Sequence, residues 1–248
     1  MAAENAPALL LEGVSKSFGA VKALDGLLLR VDRGELYGFL GPNGAGKTTA
    51  IRVALGISKA DAGTARVFGV DAPPRSVIHR VGFVPQEPAL YRDLTVRENL
   101  ELFAEVFGLD PARWEDRFEH VLDFALLHDR ADEVVRNLSG GMVRRTSIAA
   151  AMVHDPDLLI LDEPTVGIDP ELRAAFWDYF GELKARGKSV LITTHYIDEA
   201  RRCDRVGFVR GGKIVAEGPP DDLLARTGTT SLEDAFLSVI RRSQGATP

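Results

Sequence analysis

The sequence LYGFLGPNGAGKTT, residues 36–49, decides the fold class of this chain. Its first residues are mostly apolar and predict a strand, and the residues after the glycines predict a helix. The turn between them matches the pattern G-x-x-x-x-G-K-[ST], which is typical of a phosphate-binding loop. The pattern consists of Gly41, Pro42, Asn43, Gly44, Ala45, Gly46, Lys47 and Thr48, and Thr49 follows it. We expect all of these residues to contact a nucleotide.

The residue types of this loop suit a polyphosphate for physical reasons. Glycines let the backbone bend so that successive N–H groups point at an anion, and the helix N-terminus adds partial positive charge. Lys47 supplies a full charge for the β- and γ-phosphates, and Thr48 offers a hydroxyl to Mg²⁺. A glycine-rich turn with an incidental lysine is the alternative. The loop alone does not separate kinases, GTPases and ATPases.

A second stretch, LLILDEP at residues 158–164, places two acids after an apolar run. Such a run is typical of a strand buried on both faces of a parallel sheet, whose carboxyl end is where α/β proteins bind ligands. Asp162 is therefore predicted to hold Mg²⁺, and Glu163 to accept a proton from the attacking water or to orient it. A strand end followed by a solvated acidic turn is the alternative, and the phosphate loop upstream favours the catalytic interpretation.

Two further polar residues follow predicted strands. His195 comes after the apolar run at residues 190–194 and could donate a hydrogen bond to a γ-phosphate oxygen. Gln86 comes after residues 81–85, and its carbonyl oxygen could reach Mg²⁺ or the attacking water. A structural histidine and an ordinary polar loop residue are the respective alternatives.

Composition narrows the function classes. The chain has 248 residues, a formal net charge of −6 and a single cysteine, Cys203. The acidic balance argues against nucleic-acid binding, and one cysteine cannot form an internal disulfide, which fits a reducing compartment. No stretch approaches the roughly 18 apolar residues that span a bilayer. Any membrane role is therefore expected to require a partner.

Strands that alternate with helices predict an α/β fold with a largely parallel sheet and an inserted helical subdomain, and the phosphate loop makes its core that of a P-loop NTPase. The short strands at the N-terminus, joined by glycine- and aspartate-rich turns, are expected to be antiparallel. We expect one domain over residues 1–248. Its predicted parts are a core at about residues 1–88 and 153–225, a helical subdomain at about 89–152 and a short helical extension at about 226–248. Thr95 and Glu98 predict a capping box at the first helix of the insertion.

The sequence LSGGM, residues 138–142, predicts a second phosphate-binding helix start. Ser139 is a favourable N-cap, and Gly140 and Gly141 leave the backbone N–H groups accessible. Because the chain already has one phosphate loop, a second such end suggests that two copies of the protein grip one ATP together.

Taken together and in this order, the phosphate loop, LSGGM, LLILDEP, the turn Val166–Asp169 and His195 resemble the ATP-binding-cassette (ABC) ATPases. The resemblance covers residues from about Leu9 to Ile240. It implies that Phe18 stacks on adenine and that Mg²⁺ is bound by Thr48, Gln86 and Asp162. It implies further that Glu163 acts on the attacking water and that His195 contacts the γ-phosphate. It also implies that Ser139, Gly140 and Gly141 contact the ATP of the opposite subunit and that Asp169 lies at the dimer interface.

The signature departs from the common family pattern at Met142, where glutamine is usual. The residues that face phosphate are intact, so we expect activity to survive. The variant and the closing sequence LEDAFL, residues 232–237, resemble the branch that serves exporters of drugs, lipids and polysaccharides. The resemblance implies ATP and Mg²⁺ as ligands, a second ATP-binding subunit and integral membrane subunits as partners, and a place on the cytoplasmic face of a membrane. A soluble ABC ATPase and a nucleotide-binding regulator without turnover are the alternatives.

Overall fold

The computed structural model describes residues 6–165 and 167–245, without the side chains of residues 198 and 243–245. Val166, predicted to lie in a turn, is outside the described residues. The chain forms two compact units: the first combines the residues up to Val77 with those from Ser189 onward, and the second is Ile78–Lys188. Among the described residues, no helix has both the length and the apolar character that crossing a membrane requires. The predicted subdivision into core, insertion and extension stays a prediction.

The first unit contains most of the strands. They are β1 (Leu9–Phe18), β2 (Val21–Val31), β3 (Leu36–Leu40), β4 (Ala62–Val67), β5 (Val70–Asp71), β8 (Ser189–Thr194), β9 (Arg205–Arg210) and β10 (Lys213–Gly218). Its helices are α1 (Lys47–Ala54), α6 (Ile197–Ala200), α7 (Pro220–Thr227) and α8 (Leu232–Gly245).

The second unit is mostly helical. It contains β6 (Val81–Val84) and β7 (Leu158–Asp162) with α2 (Val96–Val106), α3 (Trp114–Ala125), α4 (Gly140–Met152) and α5 (Pro170–Ala185). Short 3₁₀ turns cover Ile78–Arg80, Pro111–Arg113, His128–Arg130 and Val135–Asn137.

The N-terminal strands form the predicted antiparallel sheet, in the order β2-β1-β4-β5. On β1, the side chains of Leu9, Leu11 and Val14 are fully buried while their neighbours are partly exposed. Leu9 and Leu11 alternate with their neighbours as a sheet with one apolar face requires, and Val14 follows after a register shift. The sheet packs against α1, the helix that follows the phosphate loop.

The remaining strands of the first unit run in the order β10-β9-β3-β8, with β3 parallel to both β8 and β9. Every residue of β3 and of β8 is buried, which is typical of parallel strands covered on both faces. A hairpin joins β9 to β10 through Gly211 and Gly212, both with positive φ. Because Leu40 pairs with Thr194, the carboxyl ends of β3 and β8 lie side by side.

In the second unit, β6 and β7 are parallel, with Val84 beside Leu161 at their carboxyl ends. Helix α4 packs against α2, α3 and β6. The predicted capping box at Thr95 and Glu98 is confirmed. Apolar residues recur at helical spacing over residues 111–127, which predicts a helix there. The observed helix is shorter: Pro111–Arg113 forms a 3₁₀ turn, and α3 ends before Leu126, which adopts a left-handed conformation with φ 52°. A left-handed residue stops the helical hydrogen-bond ladder, which periodicity alone does not reveal.

Candidate functional site

The phosphate loop joins β3 to α1, as the sequence predicts. Pro42, Asn43 and Gly44 are exposed, whereas Ala45, Gly46 and Lys47 are buried. The Lys47 ammonium donates to the carbonyl oxygens of Gly41 at 2.7 Å and Pro42 at 3.2 Å, so its charge is held over the loop. Helix α1 begins after Gly46 without a side-chain cap, which leaves its first turn to present backbone N–H groups.

Glycine is required at two positions of this loop. Gly46 has φ 108°, and a Cβ there would lie 2.5 Å from the backbone oxygen of Ala23. A Cβ at Gly41 would collide with the backbone oxygen of Val209. The loop is thus packed tightly against neighbouring backbone of the first unit, and only glycine fits its two ends.

His195 lies at the same edge as the phosphate loop. The Gly41 N–H donates to the Thr194 carbonyl oxygen at 3.4 Å, and His195 is the next residue in the chain. The imidazole is exposed, and its ring centroid lies 4.3 Å from that of Tyr196. The structure therefore brings the predicted γ-phosphate histidine to the start of the loop, through the pairing of β3 with β8.

Phe18 ends β1, in the hairpin that also packs against the phosphate loop. It pairs with Val21 at the turn between β1 and β2, and Ala23, just beyond that turn, is the residue against which Gly46 packs. The ring is 54% exposed, and the Lys16 ammonium lies 5.3 Å from its centroid. An exposed aromatic face at this place can accept a nucleobase by stacking.

The predicted acid pair lies at the carboxyl end of β7 in the second unit. Asp162 is 1% exposed and Glu163 is 7% exposed, so both carboxylates are withdrawn from bulk water. Glu163 has φ 51°, in the left-handed region. A non-glycine residue there carries strain of about 1–3 kcal/mol, which surrounding contacts must offset. Gln86 is exposed and follows the neighbouring strand β6, so the pairing of β6 with β7 brings the Gln86 loop and the acid pair to one edge.

Arg144 is the site residue that the sequence analysis missed. Its guanidinium, on α4, is 6% exposed and donates to five backbone carbonyl oxygens. The acceptors are Pro85 (2.6 Å), Gln86 (3.0 Å), Asp162 (2.8 Å), Glu163 (2.6 Å) and Pro164 (3.0 Å). Burial lowers the pKa of Arg144, and the carboxylates of Asp162 and Glu163 oppose that shift. The sequence offered only an arginine two residues after LSGGM as a signal, and no known residue spacing links an arginine at that place to an acid pair.

The glycine pair of LSGGM begins α4. The Ser139 hydroxyl oxygen accepts from the Met142 N–H at 3.3 Å, which confirms it as the N-cap. Ser139 and Gly140 are exposed. A Cβ at Gly140 or Gly141 would meet no heavy atom of the described chain within 4 Å, so this helix start faces open space. Asp169 caps α5, since its carboxylate accepts from the Leu172 N–H at 2.9 Å.

A glycine-rich loop between a buried parallel strand and a helix, with an acid pair ending another buried strand, defines an α/β P-loop nucleoside triphosphatase. The family model described as "ABC transporter" matches residues 24–166. The chain belongs to this ABC transporter family, and it is an ATP-binding subunit and an ATPase.

Curated relatives cover most of the chain. The "Nod factor export ATP-binding protein I" of Paraburkholderia xenovorans is 47% identical over 221 residues, 88% of this chain and 73% of that protein. The protein of the same name in Ralstonia nicotianae is 44% identical, over 88% of this chain and 69% of its own length.

Solved structures agree with the fold. An ATP-binding subunit of an ABC transporter superposes with a TM-score of 0.88 at 31% identity, over 94% of this chain and 99% of that one. A dimeric bacterial ABC transporter cassette gives a TM-score of 0.79 at 26% identity, over 85% of this chain and 98% of that one. A post-hydrolysis form of such a cassette, bound to ADP and phosphate, gives 0.78 at 26% identity, over 85% and 98% of the two chains.

Proposed function

We propose that this chain powers export through a separate membrane-spanning partner, by ATP-dependent pairing of two ATP-binding subunits. The observation that carries the proposal is the set of chemical groups on the ends of buried strands. The phosphate loop and His195 lie together in the first unit, and the acid pair and the Gln86 loop lie together in the second. These groups provide the nucleotide-binding, metal-binding and catalytic functions that ATP hydrolysis requires.

The first unit binds the nucleotide. Residues Gly41 to Thr49 surround the phosphates with backbone N–H groups, and the Lys47 ammonium exchanges its loop carbonyls for β- and γ-phosphate oxygens. Phe18 stacks on the adenine ring. His195 donates to the γ-phosphate, which its position beside Gly41 supports. Removing the γ-phosphate therefore removes a contact from both the loop and the histidine.

The donor chemistry of three residues fits a magnesium ion. Thr48 offers a hydroxyl oxygen, Gln86 an amide oxygen and Asp162 carboxylate oxygens, and oxygen donors are what Mg²⁺ prefers. When bound, the ion would neutralise charge on the phosphates. Glu163 takes the proton of the attacking water or orients it; burial of its side chain keeps the carboxylate away from bulk solvent.

The start of α4 serves the partner subunit. Ser139, Gly140 and Gly141 present a helix N-terminus to open space, where the phosphates of a nucleotide held by a second copy could dock. The solved dimeric cassette supports pairing of this kind. Each ATP then bridges two chains, hydrolysis removes the bridge, and the subunits part. Asp169 lies at that interface in this proposal.

Export is the direction that the relatives favour. Several curated relatives carry the name Nod factor export ATP-binding protein, and Met142 and the sequence LEDAFL, residues 232–237, resemble the exporter branch. The chain would work at the cytoplasmic face of a membrane, attached to its spanning subunits. Their movement would follow the Gln86 loop as the two ATP-binding subunits open and close.

Purification of the tagged chain from gently solubilised membranes of its host tests the partner. A stoichiometric multi-spanning protein in the eluate supports the proposal. Recovery of the chain alone, or on ribosomes or another soluble assembly, contradicts it and leaves only the ATPase activity.

The direction has its own experiment. Compounds released into the medium are compared between host strains carrying the wild-type chain and Lys47→Ala. A compound that disappears from the medium and accumulates inside the Lys47→Ala cells supports export. A compound that accumulates in the medium and is depleted inside the cells indicates import and contradicts it.

A further inference from the structure

Arg144 occupies an unusual place among the charged residues of the second unit. A guanidinium has five N–H donors in a rigid planar arrangement. In Arg144, Nη1 donates to Pro85 and Gln86, Nη2 donates to Asp162 and Glu163, and Nε donates to Pro164. Every donor is matched to a backbone carbonyl, so one side chain fixes the direction of five peptide units.

The five carbonyls belong to the two segments that carry the proposed chemistry. Two lie at the start of the Gln86 loop, and three lie at the acid pair and the residue after it. Glu163 is left-handed, and its carbonyl and that of Asp162 accept from the same nitrogen of Arg144. The left-handed backbone at Glu163 lets the carbonyl oxygens of Asp162 and Glu163 both point at the Arg144 guanidinium. These two hydrogen bonds stabilise the left-handed conformation. Where the Glu163 carboxylate points depends on this backbone conformation.

We infer that Arg144 is a positioning residue for ATP hydrolysis, which holds Glu163 and the Gln86 loop in working geometry and ties both to the helix that begins at Ser139. The inference rests on the proposed role of Glu163. Arg144 touches neither nucleotide nor water in this assignment; it acts through the backbone. Since Arg144 lies five residues after Ser139 on a rigid helix, about 7.5 Å along the axis, movement of that helix start is transmitted to the acid pair.

The neighbouring arginine supplies a matched control. Arg145 is on the same helix, and its Nη1 donates to the carbonyl oxygens of Ala125 and Leu126 at the end of α3. It therefore has the same side chain, a similar kind of contact and no hydrogen bond to the acid pair or the Gln86 loop. A general effect of losing an arginine from α4 would therefore appear whether Arg144 or Arg145 is replaced.

The test compares Arg144→Lys, Arg144→Ala and Arg145→Lys in the full chain, by turnover, ATP affinity and thermal unfolding. Lysine keeps the charge but has three donors on a single nitrogen, so it cannot span five carbonyls. For Arg144→Lys we expect kcat to fall about 10- to 100-fold, the usual effect of removing a group that orients a catalytic one. ATP affinity is expected to stay within about twofold of wild type, because the phosphate loop is untouched. Arg145→Lys should keep wild-type kcat.

Chemical rescue separates positioning from folding. Guanidinium at millimolar concentration should restore part of the turnover of Arg144→Ala. Equal concentrations of urea or sodium chloride should not restore it. A further control, Arg145→Ala, should keep the same turnover with and without guanidinium. If Arg144→Ala does not fold, the test relies on Arg144→Lys, assayed at temperatures well below its Tm. A fall in its kcat with nearly unchanged ATP affinity supports the positioning role. Wild-type kcat in Arg144→Lys overturns the inference. So does an equal loss of kcat and of ATP affinity in Arg144→Lys that also occurs in Arg145→Lys.

Failure of the inference and failure of the proposed function are distinguishable. Wild-type turnover in Glu163→Gln removes the proposed role of Glu163. An inactive Glu163→Gln beside a fully active Arg144→Lys overturns only the role given to Arg144.

Discussion

The phosphate loop and the acid pair reach their geometry in different ways. The loop is bridged by one of its own residues, because the Lys47 ammonium bonds to carbonyls five and six residues before it. Its two end glycines fit closely against the backbone of Ala23 and Val209. The turn at Glu163 is held by a side chain from 19 residues earlier, and the Gln86 loop by the same side chain from 58 residues later.

This difference explains why the whole loop can be recognised as a motif, whereas the arginine that holds the acid pair cannot. A lysine that bonds to carbonyls of its own loop needs a fixed spacing of residues, and a fixed spacing can be recognised in a sequence. A segment held from a distance needs only that some side chain arrive there after folding. Changes in the loop should therefore affect binding directly, whereas changes around the acid pair should affect turnover.

The largest effect is expected at the acid pair. Glu163→Gln keeps the shape of the side chain and removes the base, so kcat should fall about 10²- to 10⁴-fold while ATP still binds. The variant should accumulate as a dimer with Mg-ATP, because the bridging γ-phosphate is not removed. Phosphate release and size-exclusion chromatography measure the two effects. A monomeric variant at saturating Mg-ATP would contradict the shared-ATP dimer.

Lys47→Ala should do the opposite and weaken binding. Loss of a charged hydrogen bond to phosphate is worth about 1.5–3 kcal/mol, so ATP affinity should fall roughly 10- to 100-fold. Titration with a fluorescent ATP analogue measures it, with Lys59→Ala as a control because Lys59 lies outside the loop. Wild-type affinity in Lys47→Ala would show that the loop is misinterpreted.

The two units should also differ in their response to acid. His154 in the second unit is buried against Phe107, with ring centroids 4.3 Å apart, and burial lowers its pKa to about 4. Because the unfolded chain takes up this proton near pH 6.5 and the folded one does not, stability is full above that pH and falls as pH drops toward 4. Between pH 7 and pH 5 the wild type should lose about 2 kcal/mol more than His154→Gln.

Urea unfolding at both pH values tests this difference. The amide of His154→Gln can still donate to the carbonyl of Val81, which the imidazole contacts at 3.2 Å. His79→Gln is the control, since His79 is exposed. Equal pH dependence in the wild type and His154→Gln would assign the acid sensitivity to other groups.

The smallest effects are expected at two helix caps of the second unit. Thr95→Ala and Ser139→Ala each remove a side chain that accepts from a backbone N–H, and each should cost about 1 kcal/mol of stability. Only Ser139→Ala should also lower turnover, because Ser139 is proposed to face the partner's ATP. Chemical denaturation and ATPase assays on both variants compare the two; equal turnover would leave Ser139 as a cap alone.

Much of the fold could be predicted from the sequence. The short apolar runs at residues 36–40 and 81–84 predict two strands, and β3 and β6 have these bounds. The glycine pair Gly211 and Gly212 between two such runs predicts the hairpin that joins β9 to β10. Helix ends were less predictable, as the 3₁₀ turn at Pro111–Arg113 and the left-handed Leu126 illustrate. Of the site, the loop, the acid pair and His195 carried motif spacing, whereas Arg144 did not.

By itself, the sequence determined the class of protein, because residues 41–49, 138–142 and 158–164 carry chemistry in fixed local spacing. It also determined that the acid pair and His195 follow strand ends, because each comes after a continuous apolar run. Such a run is typical of a buried parallel strand, whose carboxyl end is where ligands bind. Only the tertiary structure decided that β3 lies beside β8, bringing His195 to Gly41, and that Arg144 joins the Gln86 loop to the acid pair. The physical reason is that strand order and buried hydrogen-bond partners depend on which distant segments pack together, and local sequence does not record that choice.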